Sequence, residues 1–521
     1  MNNPLFAKEL RRLDLLALPK NAHAKKIKVA VYRNHSFEVI AGVLNAFLND
    51  SDLKAEFVYS SYDDSLNFQV QPADLQIIWL DINRYNTGNI NDFLADRIAF
   101  LRNDTSSPIL LFYIGKKIDF KTDVPDVFIF HVDDDIAFLK EAAYDEAKEP
   151  YSGTRLSSKA SLEIARMLGL KYITAVVKTP LKAIVVDMDN TLYKGVLGED
   201  GIKGVIPNTE LQQQLKNFKN DGFFLCIASK NEESDARKLF TERKDFPLTW
   251  DDFTAVEINW KNKADNLQKL AKTLNIGVDA ILFIDDNPAE VLNVEHIGIK
   301  TLLADDNICQ ILKYYPGLLK LRKNNEDTLR SADVKANAQR AEMLKKLTPE
   351  QYFKKLGINL TYGINRPEQI PRIAELFGKT NQFILTYKRY KETEVTDFMN
   401  DPNSLIITVK MADNLSDSGI IAILAAHRDG DDLILDEMTV SCRALGRNLE
   451  DIMLPKMFEL AADELLTKKR ILINYKEGER NTPALSWLAK IAGIVLQSEG
   501  CISYDIPNKI NTDGLKIEVL R

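Results

Sequence analysis

Apolar runs of strand length recur along this chain, and the most informative of them stop at polar groups. Ala183–Val186 is apolar at every position, as a central strand of a parallel sheet is when both its faces are covered. It ends at Asp187, Asp189 and Thr191, and strand alternation places the two carboxylates on one side. Phe223 to Ala228 runs into Ser229, Lys230 and Asn231; Phe253 to Trp260 runs into Lys261 and Lys263; Ala280 to Ile284 runs into Asp285 and Asp286. Helical spacing separates these runs. Leu211, Leu215 and Phe218 share a face behind a capping box expected at Thr209–Gln212, with Gly222 as the stop. Lys263 opens a second helix with its stripe at Leu267, Leu270, Ala271 and Leu274, ending at Asn275 or Gly277. Alternating strands and helices predict a doubly wound α/β sheet, whose ligands sit beyond the carboxyl ends of the strands.

Taken singly, these strand ends have plain readings: Asp and Thr cap helices, Ser229 caps, Lys263 is a solvated helix residue, and Asp285-Asp286 before Asn-Pro is a turn. Taken together, in this order, they form one chemical kit. Asp187 can attack phosphorus as a carboxylate nucleophile and form an aspartyl-phosphate. Asp189 protonates the leaving oxygen and then activates water. Ser229 and Lys263 hold phosphoryl oxygens, with Thr191 and Asn231 as further substrate-binding groups. Asp187, Asp189, Asp285 and Asp286 make an oxygen-rich site suited to Mg²⁺. The short interval between Asp187 and Ser229 leaves no room for a large lid domain, so the site is expected to admit a large or tethered substrate or to need another domain to cover it.

Two further regions carry their own patterns. Ile27–Tyr32, Leu75–Leu80, Ile109–Tyr113 and Val127–Phe130 read as strands, with a helix from Phe37 to Leu48 among them. Ser36 lies just past the first of these strands, but no Asp-x-x-His partner follows it; His131 precedes Val132-Asp-Asp-Asp135 instead, and helix capping is the expectation for Ser36. Toward the carboxyl end, strands are expected at Ser404–Met411, Gly419–Ala425 and Asp432–Cys442. A basic turn with Arg443, Gly446 and Arg447 follows, then a helix from Leu449 to Leu466. A strand running into such a turn offers backbone N–H groups to a phosphate. Cys442 beside Arg443 and Arg447 is a candidate nucleophilic thiol, its plain reading being a small buried apolar residue. Between residues 312 and 347 the chain is helical and basic, including Lys335, Arg340 and Lys345; a solvated connecting helix is expected, with an acidic carrier protein as the functional alternative.

Length and composition narrow the rest. A chain of 521 residues with 45% hydrophobic and 27% charged residues is a soluble multidomain protein. The net charge of −7 gives no footprint for nucleic acid. No apolar run is long enough for a membrane span, and the first residues lack a signal peptide's core. Widely spaced Cys226, Cys309, Cys442 and Cys501 argue for reduced thiols and a cytoplasmic location. The domains expected are 1–178, 179–315, a helical linker 316–350, and 351–521.

The strings Asp187-Met-Asp-Asn-Thr-Leu-Tyr193, Ala228-Ser-Lys-Asn231, Asn259-Trp-Lys-Asn-Lys263 and Phe283-Ile-Asp-Asp-Asn-Pro288 resemble the four motifs of the haloacid dehalogenase (HAD) phosphohydrolases, and within them the FkbH-like subclass IIIC. The resemblance implies Asp187 as nucleophile and metal ligand, Asp189 as acid/base with its carbonyl on the metal, Ser229 and Lys263 on phosphate, and one or both of Asp285 and Asp286 on the cation. Tyr193-Lys194 departs from it, since many relatives carry Trp-Gly or Trp-Asn there. The same resemblance implies an SGNH-hydrolase-like, flavodoxin-type amino-terminal domain and a GNAT-like α+β carboxy-terminal domain. Asn448, where the GNAT phosphate loop has a small residue, argues against coenzyme A. The implied activity is formation of a glyceryl thioester on an acyl carrier protein from a phosphorylated three-carbon substrate. The alternatives are a carrier-recruiting scaffold with a residual HAD site, or an acetyltransferase with a regulatory phosphatase domain.

Overall fold

The computed structural model describes residues 3–62, 70–85, 89–321, 325–441, 444–445, 447 and 449–521. The chain divides into two compact units, Met1–Pro180 with Asp306–Arg322, and Leu181–Asp305 with Lys323–Arg521.

The first unit is a five-stranded parallel sheet in the order β2-β1-β3-β4-β5, from β1 (Lys25–Arg33), β2 (Leu53–Tyr62), β3 (Leu75–Asp81), β4 (Ile109–Ile114) and β5 (Val127–His131). β3 and β4 are buried throughout, which is why their sequences are apolar on both faces. Helices Glu38–Leu48 and Ser158–Met167 cover one side, and Ile90–Asp104 the other. Residues 306–322 belong to this unit because Tyr314 enters its core, with the Arg166 guanidinium 4.0 Å above the Tyr314 ring. Ser36 is not a capping residue: the helix starts at Glu38 behind Phe37, and the Ser36 hydroxyl donates to Glu38 Oε2 at 3.0 Å. The Glu38 carboxylate also accepts the Phe37 N–H, so it takes the role expected of the hydroxyl. His35 is fully buried, stacked on Trp79, with Nδ1 3.0 Å from the Thr154 hydroxyl; burial, then Arg84 and Arg155, hold its ring well below the usual histidine range.

The second unit contains two sheets. The first is parallel, in the order β10-β9-β6-β11-β12, with β6 (Ala183–Val186), β9 (Phe224–Ser229), β10 (Ala255–Ile258), β11 (Ile281–Asp285) and β12 (Lys300–Leu303). A short hairpin of β7 (Tyr193–Lys194) and β8 (Ile206–Pro207) rises from the end of β6. The chain runs outward from β6 through β9 to β10 and then returns to β11 on the other side of β6. The switch point therefore falls between Asp187 and Asp285. Two local expectations change. The strand expected over Phe253–Trp260 is the shorter Ala255–Ile258, because the Asn259 side chain accepts the Lys261 N–H and turns the chain. Helix Thr209–Asn220 is capped by Asn208, whose side chain accepts the Leu211 N–H, and not by a Thr209–Gln212 box. Gln212 is fully buried instead and joins the Leu192 carbonyl (2.7 Å) to the Leu248 N–H (3.3 Å).

The other sheet has seven strands in the order β18-β17-β16-β15-β14-β13-β19: β13 (Asn359–Ile364), β14 (Ser404–Ala412), β15 (Asp417–Asp429), β16 (Asp432–Val440), β17 (Arg470–Lys476), β18 (Glu499–Asp505) and β19 (Lys516–Leu520). β16 and β17 are parallel and pair only over Leu433–Leu435 and Ile471–Ile473. Beyond that point residues 383–388 lie between them. The Phe383 carbonyl accepts from Val440, the Leu385 carbonyl accepts from Lys476, and the buried Glu437 carboxylate accepts the N–H groups of Leu385, Thr386 and Lys388.

Helix Asn325–Leu344 joins the two sheets and is not a solvated connector. Val334 packs into the core of the parallel sheet, and Ser331 and Lys335 bond Thr254 and the Asp251 carbonyl at the amino ends of its strands. From the same helix Asp333 and Arg340 are buried against the seven-stranded sheet. The Arg480–Asp279 pair, just before β11, adds to this amino-end contact. Among the described residues no helix is long and apolar enough to cross a membrane.

Candidate active site

Three carboxylates converge at the switch point. Asp187, Asp285 and Asp286 each offer an oxygen within 4.8 Å of the others. Asp187 follows β6 directly, and its N–H donates to the Ile284 carbonyl on β11, so the two strands set the spacing of their terminal carboxylates. Lys263, buried at the start of helix Lys263–Leu274 behind the Asn262 cap, places Nζ 2.5 Å from Asp285 Oδ2 and 3.1 Å from Asp187 Oδ1. Asp285 Oδ1 accepts the Asn287 N–H at 2.9 Å, leaving the less buried Asp286 as the outer member of the three.

One cation faces three carboxylates, and the electrostatics show the deficit. Burial, opposed by Lys263 and reinforced by Asp285, raises the Asp187 carboxyl to about 6. Burial and then Asp285 also raise Asp286. Burial disfavours the Lys263 ammonium, yet Asp187 and Asp285 outweigh it and lift its pKa above the ordinary lysine value. Asp187 Oδ1 is met by the Lys263 ammonium at 3.1 Å, and among the described residues the buried Thr191 hydroxyl has no hydrogen-bonded partner. Hard oxygen donors short of positive charge fit Mg²⁺. The buried Thr191 hydroxyl, which follows β6 on the same loop as Asp187 and is left without a partner, fits an oxyanion.

Asp189 stands apart from the three-carboxylate cluster by its side-chain contacts. Its Oδ1 accepts the Tyr193 hydroxyl (2.6 Å) and the Leu197 N–H (2.9 Å); its Oδ2 accepts Asn231 Nδ2 (2.9 Å). The same Asn231 amide reaches Ser229 Oγ at 3.2 Å, and the Ser229 hydroxyl opposes the rise of the Asp187 carboxyl. Asn190, in the left-handed region at φ 51°, exchanges hydrogen bonds with Gly195, whose φ of 104° few other residues adopt. That closure turns the chain between Asp189 and the hairpin. Burial and Asp189 push the Tyr193 hydroxyl well above the usual tyrosine range, so it remains a donor. At the rim, Trp260 is 70% exposed with its indole N–H 2.8 Å from Glu232 Oε1.

Asp187, Ser229, Lys263, Asp285 and Asp286 are thus together, with Asp189 and Asn231 joined to them through Ser229. Cys442, Arg443 and Gly446 lie outside the described residues. Arg447 turns inward and bonds Asp333 (3.0 and 3.2 Å), Ser418 and Asn337, so its guanidinium does not face a ligand. Arg340, expected on a basic surface, is buried against Asp333 and Asp413. Sequence reasoning missed the Tyr193 hydroxyl and Gln212. Tyr193 lies inside the quoted motif string, whereas Gln212 carries no signal beyond a polar residue beside the buried stripe.

No family model matches the chain, and no curated protein matches it. Solved structures do resemble parts of it. One is the amino-terminal part of a Bacteroides fragilis protein containing a phosphatase domain complexed with Mg, 23% identical over 58% of this chain and 93% of that one, with a TM-score of 0.44. Another is a HAD family enzyme of Bacteroides thetaiotaomicron in complex with magnesium and inorganic phosphate, 12% identical over 24% of this chain and 93% of that one, TM-score 0.20. A third is the ribosomal-protein-S18-alanine N-acetyltransferase of Escherichia coli, 10% identical over 29% of this chain and 97% of that one, TM-score 0.22. The chemistry that follows rests on the site itself.

Proposed function

We propose that the parallel sheet of the second unit carries a Mg²⁺-dependent phosphohydrolase or phosphotransferase site in which Asp187 accepts the phosphoryl group. The observation that carries this reading is the convergence of three carboxylates on one buried lysine at a switch point. Asp187, Asp285 and Asp286 would hold the cation, with the Asp189 carbonyl. When bound, Mg²⁺ neutralises charge on the phosphoryl oxygens and fixes their orientation.

The residues divide the work. Asp187 attacks phosphorus; the bond to the leaving oxygen breaks, and Asp189 gives that oxygen its proton. Lys263, Ser229, Asn231 and the Thr191 hydroxyl donate hydrogen bonds to the remaining phosphoryl oxygens as charge spreads over them. Water then attacks the aspartyl-phosphate, Asp189 takes its proton, and phosphate departs from a regenerated Asp187. Phosphate release from an aryl phosphate, with and without Mg²⁺, tests the reading. If Asp187→Asn releases phosphate as fast as the wild type, catalysis at this site is wrong and a binding scaffold replaces it.

The finer reading is a phosphorylated three-carbon substrate whose acyl group ends as a thioester on an acyl carrier protein. The sequence resemblance supports it, and the mixed sheet with diverging parallel β16 and β17 supports an acyltransferase-like carboxy-terminal part. Intact-mass detection of a glyceryl adduct on a carrier protein tests it, and acetyl-coenzyme A binding tests the acetyltransferase alternative.

A further inference from the structure

The acid/base carboxylate has two oxygens, and the structure treats them differently. Oδ1 of Asp189 is held by two donors of the hairpin region, the Tyr193 hydroxyl at 2.6 Å and the Leu197 N–H at 2.9 Å. Oδ2 is held, among the described residues, by Asn231, whose amide also reaches the Ser229 hydroxyl at 3.2 Å, on the phosphate side of the site. Tyr193 is fully buried, its ring packs on Phe246, and its hydroxyl is spent on this one carboxylate. The hairpin is itself fixed from below, since Arg243 donates to the carbonyls of Ile202 and Val205 and pairs with Asp245.

We propose that Tyr193 is a positioning residue: with the Leu197 N–H it pins Oδ1 of Asp189, so that Oδ2 is the oxygen that delivers the proton to the leaving group. This rests on the phosphoryl-transfer reading of the site. In the step concerned, an Asp187 oxygen forms the new bond to phosphorus, the phosphorus–oxygen bond of the ester breaks, and the proton on Asp189 Oδ2 moves to the departing oxygen. An oxygen fixed in this way serves esters whose alcohol needs a proton to leave. It matters little where the leaving group is a stable anion.

Tyr193→Phe removes the hydroxyl and keeps the ring, and kcat/KM reports only the steps through departure of the leaving group. We expect kcat/KM for glycerol phosphate, a poor leaving group, to fall about tenfold, while that for p-nitrophenyl phosphate stays within about twofold. In an Asp189→Asn background the same substitution should change neither rate, because there is no acid left to position. Equal losses on the two substrates, no loss on glycerol phosphate, or an undiminished effect in the Asp189→Asn background would each overturn the proposal. Asp187→Asn separates the two levels. If it retains wild-type activity on both esters, the phosphoryl-transfer reading falls and takes this one with it; if it abolishes both, the Tyr193→Phe ratio judges the positioning role alone.

Discussion

Two buried clusters of acids and bases in the second unit look alike in composition and differ in completeness. At the joining helix, Asp333 and Asp413 meet Arg340 and Arg447, so charges balance. Asp333 Oδ1 accepts from Arg340, Ser416, Ser418 and Arg447, and its Oδ2 from Arg447. Burial alone would raise the Asp333 carboxyl, but Arg447, Ser416 and Arg340 outweigh it and hold it below the usual carboxylate range. At the switch point, Asp187, Asp285 and Asp286 share one Lys263, the Thr191 hydroxyl has no partner among the described residues, and Asp187 is raised to about 6. A satisfied cluster is architecture. An acidic cluster left short of positive charge, with donors aimed at nothing, is a place prepared for something else.

That contrast is easiest to break at Asp187. Asp187→Asn should lower phosphate release by more than about a thousandfold while leaving thermal unfolding nearly unchanged, as expected of a nucleophile and not of a structural ion pair. Chelation by EDTA should abolish the same activity and Mg²⁺ should restore it, measured on an aryl phosphate; activity that survives chelation would remove the cation from the account.

The opposite pattern is expected at the joining helix. Asp333→Asn leaves two buried guanidinium groups short of a partner and should destabilise the fold by about 3–5 kcal/mol in denaturant unfolding. Because the folded pKa of Asp333 is depressed, its contribution is fully present above the unfolded carboxylate value and is lost as pH falls through the lower, folded one. The gap between wild type and variant should therefore narrow below about pH 4. A smaller effect sharpens the comparison at Thr191. Thr191→Val removes a buried hydroxyl without a partner, so stability should hold or rise by up to about 1 kcal/mol, whereas KM for the aryl phosphate should increase several-fold. A fall in stability with unchanged KM would make that hydroxyl structural.

The parallel sheet was legible because each of its functional groups sits within a few residues of the apolar run that positions it. Asp187, Ser229 and Asp285 end or follow strands whose burial on both faces is written in their composition. Lys263 was legible as the first residue of an amphipathic helix. What stayed hidden depends on residues distant in the chain. Arg447 reads as a phosphate-facing cation until Asp333, 114 positions away, is folded against it. The basic run through Arg340 reads as solvated for the same reason. Ser36 reads as a cap, and only the fold brings the Arg33 and Tyr62 side chains to the Glu38 carboxylate that displaces it. Residues 383–388 carry no strand signal of their own, since the donors and acceptors they satisfy belong to Glu437, Val440 and Lys476.

The joining helix meets the amino end of β10 through Thr254 and Asp251, and Arg480 meets the amino end of β11 through Asp279. The three carboxylates and Lys263 crown the opposite rim. Strands of four to five residues at ~3.3 Å each put roughly 13–17 Å of packed sheet between the two. On the proposed phosphoryl-transfer reading, a product would leave the carboxylates on the side of the sheet away from these contacts.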